Sequence, residues 1–149
     1  MPADYPIYHY EALERAEAFY DAFRQLRPGD SITTSWPHYL LLCSAAELGL
    51  KAFLARCGVP ELQLRRDFGH KLDLLMREAI DRGLNIGKLA ASEIMLLDEA
   101  HAKHWSRYPR QENKPVFKIE FFDPYVRELL QGVSESIRGG RRGFEIDAN

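Results

Sequence analysis

Apolar residues return at three- and four-residue steps along most of this chain, the period of an α-helix with one buried face. Leu13, Ala16, Phe19, Tyr20, Phe23 and Leu26 share one side of a first helix predicted over 7–26. Glu11, Glu14, Arg15, Glu17, Asp21 and Arg24 occupy the rest. Arg27-Pro28-Gly29-Asp30 ends it, because Pro28 disfavours helix at Arg27 and Gly29 supplies a turn. The next helix is predicted to start at Trp36-Pro37, with Ser35 or Trp36 as cap and Pro37 in the first turn, where its missing N–H costs nothing. It runs to Cys57, and Gly58 suits the left-handed stop. Leu42, Cys43, Ala46, Leu50, Phe53, Leu54 and Cys57 make one broad apolar face, and Leu41, Ala45, Leu48 and Ala52 a second. Only Ser44, Glu47 and Lys51 form a polar strip. A helix apolar nearly all round is buried on more than one side, so this one is read as central, or as also meeting a second subunit.

A third helix is predicted over 70–82, with Leu72, Leu75, Met76 and Ala79 inward and Gly83 as the stop. A fourth covers 88–105, with Leu89, Ile94, Leu96, Leu97 and Ala100 as its apolar residues, and ends before Tyr108-Pro109. Residues 110–115 read as an exposed loop. From 116 to 122 the pattern changes: Phe117, Ile119 and Phe121 alternate with Lys118 and Glu120, a period of two that predicts a short extended segment. Asp123-Pro124 opens a last helix, with Val126, Leu129, Leu130, Val133 and Ile137 inward, closed by the Gly-rich run after Arg138. The expectation is an all-α, up-and-down bundle of about five helices with an extended segment near 116–122. It forms one domain over 1–138, followed by a mobile tail over 139–149.

Composition narrows the function classes. The 149 residues suit one domain, and 46% hydrophobic content supplies a core. Twenty Lys and Arg against 22 Asp and Glu leave a net charge of −2, so the chain as a whole does not attract nucleic acid or anionic lipid, and any such binding needs a local patch. No basic start followed by an apolar run is visible, and no stretch of about 18 uncharged apolar residues occurs. A cytoplasmic protein without a membrane span is therefore expected. Cys43 and Cys57 lie about 21 Å apart on one helix and cannot bridge to each other within it; both are read as inert residues of an apolar face.

Several side chains are candidates for chemistry. Glu47 and Lys51 stand one turn apart in the favourable order for an ion pair. They read either as a pair on the one strip facing water, or as a polar strip turned toward a groove or interface that could hold a ligand. His70 stands at the predicted start of the third helix, where unpaired N–H groups invite an anion; capping or loop packing is the plainer role. His101 and His104 lie three apart, but two histidines are too few ligands and the paired Glu-x-x-His motifs of di-metal bundles are absent, so no metal or other cofactor is expected. Neither a Gly-rich phosphate loop nor a serine nucleophile elbow is present. Arg138, Arg141 and Arg142 among glycines are similar to RNA-binding Arg–Gly segments, yet a single copy diluted by Glu145 and Asp147 reads first as a solvated helix end.

The succession Glu47-Leu48-Gly49-Leu50-Lys51-Ala52-Phe53-Leu54, Gly69-His70-Lys71-Leu72-Asp73-Leu74-Leu75 and Arg107-Tyr108-Pro109 resembles, over about half the chain, the HEPN (higher eukaryote and prokaryote nucleotide-binding) domain family. The resemblance implies an all-helical domain, usually a homodimer. Members include RNA-cutting toxins, partners of minimal nucleotidyltransferases in toxin–antitoxin pairs, and non-catalytic modules proposed to bind nucleotides. On this basis Glu47, Lys51, His70, Arg107 and Tyr108 are the expected ligand-binding residues. Lys51 and Arg107 would contact phosphate, His70 would offer a donor, Tyr108 would stack on a base and Glu47 would orient Lys51. The family's ribonucleases carry Arg, four to six residues, then His. Arg65 and His70 have that spacing, but they precede the helix where the motif is expected, and neither His101 nor His104 has an Arg at that distance before it. The leading expectation is therefore a binding module for nucleotide, RNA or a protein partner. A metal-independent ribonuclease using Arg65 and His70 is the alternative, and a ligand-free structural dimer the third.

Overall fold

The computed structural model describes residues 5–27, 32–102 and 119–139. Among these residues the chain is helical almost throughout and contains no strand. Its helices are α1 (Tyr5–Gln25), α2 (Ile32–Arg56), the three-residue α3 (Glu61–Gln63), α4 (Leu72–Asp81), α5 (Lys88–Ala102) and α6 (Asp123–Arg138). A π-helical turn, Leu64–Phe68, continues α3, and a 3-10 turn, Ile119–Phe122, leads into α6.

α2 is the centre, packing against α1, α4, α5 and α6. This follows from its nearly all-round apolar surface: Leu42, Ala45, Ala46, Leu50, Ala52 and Leu54 have no exposed surface. By length and composition the stretch Pro37–Arg56 could cross a membrane, but most of it is buried under the other helices, as befits a core helix. α1 runs antiparallel to α2. Near the α1 C-terminus, Phe23 packs edge-on to His38, whose Nε2–H donates to the Leu26 carbonyl at 2.8 Å. Near its N-terminus, Tyr8 lies in the field of Glu47, two and a half turns beyond His38 along α2.

Two polar ties fasten α1 to α6. The fully buried Tyr20 hydroxyl donates to Asp123 and accepts from Arg127 Nε at 3.2 Å. Burial and the Asp123 carboxylate push the Tyr20 phenol up to about 12. At the other end of α6, Arg138 grips Glu17 with two guanidinium nitrogens, at 2.5 and 2.9 Å. α6 also docks on the turn before α5. Glu128 accepts the Gly87 N–H at 2.7 Å, and Gly132 comes so close to the Asn85 carbonyl that a Cβ there would stand 2.6 Å from its oxygen.

Several expectations are corrected. The segment 119–122 is not extended. Ile119 and Phe122, three apart, are buried, whereas Phe121 is exposed; the alternation of apolar residues gave way to a three-residue turn that seats Ile119 and Phe122 in the core. Residues 110–118 lie outside the described residues, as does the tail from 140. α2 starts at Ile32, ahead of the expected cap at Ser35 or Trp36, so Pro37 sits inside the helix and forfeits one backbone bond there. The third helix starts at Leu72 rather than His70. Leu26, Leu89 and Leu96 are largely exposed, because α1 ends at Gln25 and α5 turns Ala90, Ala91, Ile94 and Leu97 inward instead. Cys43 is buried, but Cys57, just past the end of α2, is exposed, with its thiol pushed up by partial burial.

Candidate functional site

Two of the three residues in the polar strip of α2 are buried, and only Ser44 is partly exposed. Glu47 and Lys51 are 8% and 7% exposed, in the middle of the most apolar helix. Two charges at such depth persist only when paired, and here they are: Lys51 Nζ donates to Glu47 Oε2 at 2.8 Å. The plainer reading of a solvated surface pair is thus overturned. Among the described residues every buried side-chain nitrogen and oxygen has a hydrogen-bond partner.

The same carboxylate holds a third group. His70 Nδ1 lies 2.9 Å from Glu47 Oε2 and 3.1 Å from Oε1. A carboxylate only accepts, so Nδ1 carries the proton, and in the neutral ring Nε2 carries the lone pair. The His70 side chain is 71% exposed while that of Glu47 is 10% exposed. The histidine is therefore a lid on the buried carboxylate, with one edge inward and the ring in solvent.

Backbone geometry puts it there. After α2, the connection of residues 57–71 is anchored by buried Val59 and Leu64. The π-helical turn closes with the Gly69 N–H bonding the Leu64 carbonyl at 3.1 Å. Gly69 adopts φ 55° and ψ −124°, a combination open to glycine because it lacks Cβ, and this reversal swings His70 back over α2. π-Helical turns of this kind occur frequently at functional sites. The turn leaves Arg65, Arg66, His70 and Lys71 exposed, with Arg66 paired to Asp67.

α1 completes the neighbourhood. Tyr8 is half-buried, and its phenol is pushed up first by burial, then by Glu61 and Glu47, and pulled down by Arg65 and Arg15. Groups from α1, α2, α3 and the π turn therefore share one end of the bundle. Of the expected site residues, Glu47, Lys51 and His70 come together and Arg65 stands in the same neighbourhood; Arg107 and Tyr108 lie outside the described residues. Lys51 aims its ammonium at Glu47 instead of outward. Tyr8, Arg15 and Glu61 were not expected here, because α1 meets Glu47, Glu61 and Arg65 only across more than 30 positions of sequence and no local motif marks them. His104 lies outside the described residues, and among those that are described no group of three or more His, Cys, Asp or Glu stands together to hold a metal ion.

Comparison with family models, with curated proteins and with solved structures finds no match for the chain.

Proposed function

We propose that this chain is a HEPN-like helical binding module, and that the Glu47–Lys51–His70 cluster with Arg65 at its rim takes the phosphate of a nucleotide or of RNA. The observation that carries the reading is the buried Glu47 carboxylate engaged at once by Lys51 and by an exposed, oriented His70. Fixing a histidine in one tautomer costs conformational freedom, and burying an ion pair costs solvation. Those costs are repaid at a site that needs an oriented imidazole at the surface. Arg65 adds a guanidinium suited to phosphate oxygens. Arg107 and Tyr108 are proposed as further contacts, the first to phosphate and the second stacking on a base. The module is proposed to work as a homodimer, with a nucleotidyltransferase-like protein as a candidate partner.

Calorimetric titration with nucleoside monophosphates and short RNA tests this. Binding that weakens at least tenfold in both His70→Ala and Arg65→Ala is expected. Absence of heat with every ligand, in a protein that circular dichroism shows to be folded, would overturn it.

A second reading draws on the His70 tautomer. With Nδ1–H held by a carboxylate, Nε2 has the lone pair a general base needs, the arrangement by which a buried acid orients a catalytic histidine. A metal-independent ribonuclease would use His70 to take the 2′-hydroxyl proton and Arg65 to stabilise charge on the reacting phosphate. Incubation with RNA separates the two readings: cutting by the wild type that His70→Ala abolishes favours the enzyme, and none by either leaves the binding module.

A further inference from the structure

His70 is held by its backbone as well as by its ring. Phe68, Gly69, His70 and Lys71 form a β-turn, closed by the Lys71 N–H on the Phe68 carbonyl at 3.0 Å. The Gly69 angles, φ 55° and ψ −124°, are those of the first central residue of a type II′ turn, the mirror image of type II. His70 is the second central residue. On one side the Gly69 N–H ties the turn to the carbonyl of Leu64, a residue 1% exposed. On the other side the fully buried Leu72 opens α4. The imidazole therefore leaves a backbone that is pinned within a few residues in both directions, and it meets Glu47 Oε2 at 2.9 Å.

Glycine decides the hand of this turn. Gly139, at φ 76° and ψ 28°, ends α6 in the left-handed helical region, whereas Gly69 has a positive φ with a strongly negative ψ. A Cβ built on Gly69 meets nothing within 4 Å. Alanine at 69 would clash with no neighbour, so what it disturbs is the backbone angle alone. The chain would leave the mirror-image turn for one with negative φ at 69, and His70 would be re-aimed.

From this geometry we infer that Gly69 is a positioning residue of the phosphate site: its mirror-image turn seats the His70 ring on Glu47 before a ligand arrives, and it acts on binding through His70. The inference rests on the binding reading above and names what sets the geometry of that site. Ordering of the ring is completed on folding, so it does not weaken binding.

The test is a double-variant cycle, read by titration calorimetry with a short oligouridylate and by nitrogen-detected spectroscopy of the His70 ring without ligand. Gly69→Ala is expected to weaken binding at least about fivefold and to lose the Nδ1–H held by Glu47. In a His70→Ala background the same change is expected to alter binding less than about twofold, because the group through which it acts is gone. Gly69→Asn, a residue that turn positions of positive φ accept, is expected to keep the ring contact and most of the affinity. Thermal melting shows which variants are folded. A ring still on Glu47 in Gly69→Ala, or an equal loss in the two backgrounds, would overturn the inference and leave the binding module standing. So would a folded Gly69→Asn whose ring has left Glu47. Absence of binding by the wild type would remove the binding module, and the inference with it.

Discussion

His70 Nδ1 and Glu47 Oε2 are 2.9 Å apart although 23 residues separate them in the chain. The contact ties the connection after α2 back onto the middle of α2, and it shares its carboxylate with Lys51. Removing the carboxylate strands a buried ammonium. Glu47→Leu is therefore expected to lower unfolding free energy by about 3–5 kcal/mol, whereas Glu47→Leu with Lys51→Met, which removes both charges, costs less than the single change. Denaturant unfolding of the two variants gives the comparison, and a double variant less stable than the single one would contradict it.

The Tyr20 phenol gives an alkaline signature. Its folded value of about 12 lies above the ordinary value of 10.0 for the unfolded chain. Below about pH 10 both states keep the proton and the stability is fully present. Between about pH 10 and 12 the unfolded chain loses the proton first, so stability falls by up to about 2–3 kcal/mol. Tyr20→Phe is expected to abolish that part of the alkaline loss. At neutral pH it costs about 1 kcal/mol, because Asp123 and Arg127 lose a partner. Unfolding curves across that range, with ultraviolet titration of tyrosinate, measure both.

Gly132 allows α6 to meet the turn before α5. Alanine favours helix over glycine by about 1 kcal/mol, yet its Cβ would stand 2.6 Å from a backbone carbonyl oxygen, which has little room to move. Gly132→Ala is expected to be net destabilising by about 1–3 kcal/mol. A rise in melting temperature would show that the turn yields.

The Glu17–Arg138 pair is two-pronged, with side chains 12% and 16% exposed. Arg138→Ala is expected to cost about 2 kcal/mol, in keeping with charged hydrogen bonds. Because the pair is mostly buried, the loss should change little between low and moderate salt. A loss that vanishes at moderate salt would mean that the pair behaves as a surface contact.

Much of the fold was legible because helices announce themselves by period. The recurrence of Leu13, Ala16, Tyr20 and Phe23 placed α1 to within about two residues at each end, and the two-faced apolar pattern of α2 marked it as central. The 119–122 turn was not legible, since five residues of alternating character suit a strand and a 3-10 turn equally until a core is there to choose Ile119 and Phe122. The site was half legible. The Glu47–Lys51 spacing announced an ion pair, but its burial depends on chain that returns from elsewhere, and so does the contact with His70. The Tyr8 neighbourhood, built across α1, α2 and α3, leaves no local trace at all.

Nitrogen-detected imidazole spectroscopy of His70, with and without a short oligouridylate, reads the central claim directly. The account predicts the Nδ1–H tautomer in the free protein, held by Glu47 and lost in Glu47→Leu, and a shift of both ring nitrogens when the ligand binds. A ring that populates Nε2–H in the free protein, or resonances unmoved by saturating ligand, would contradict it.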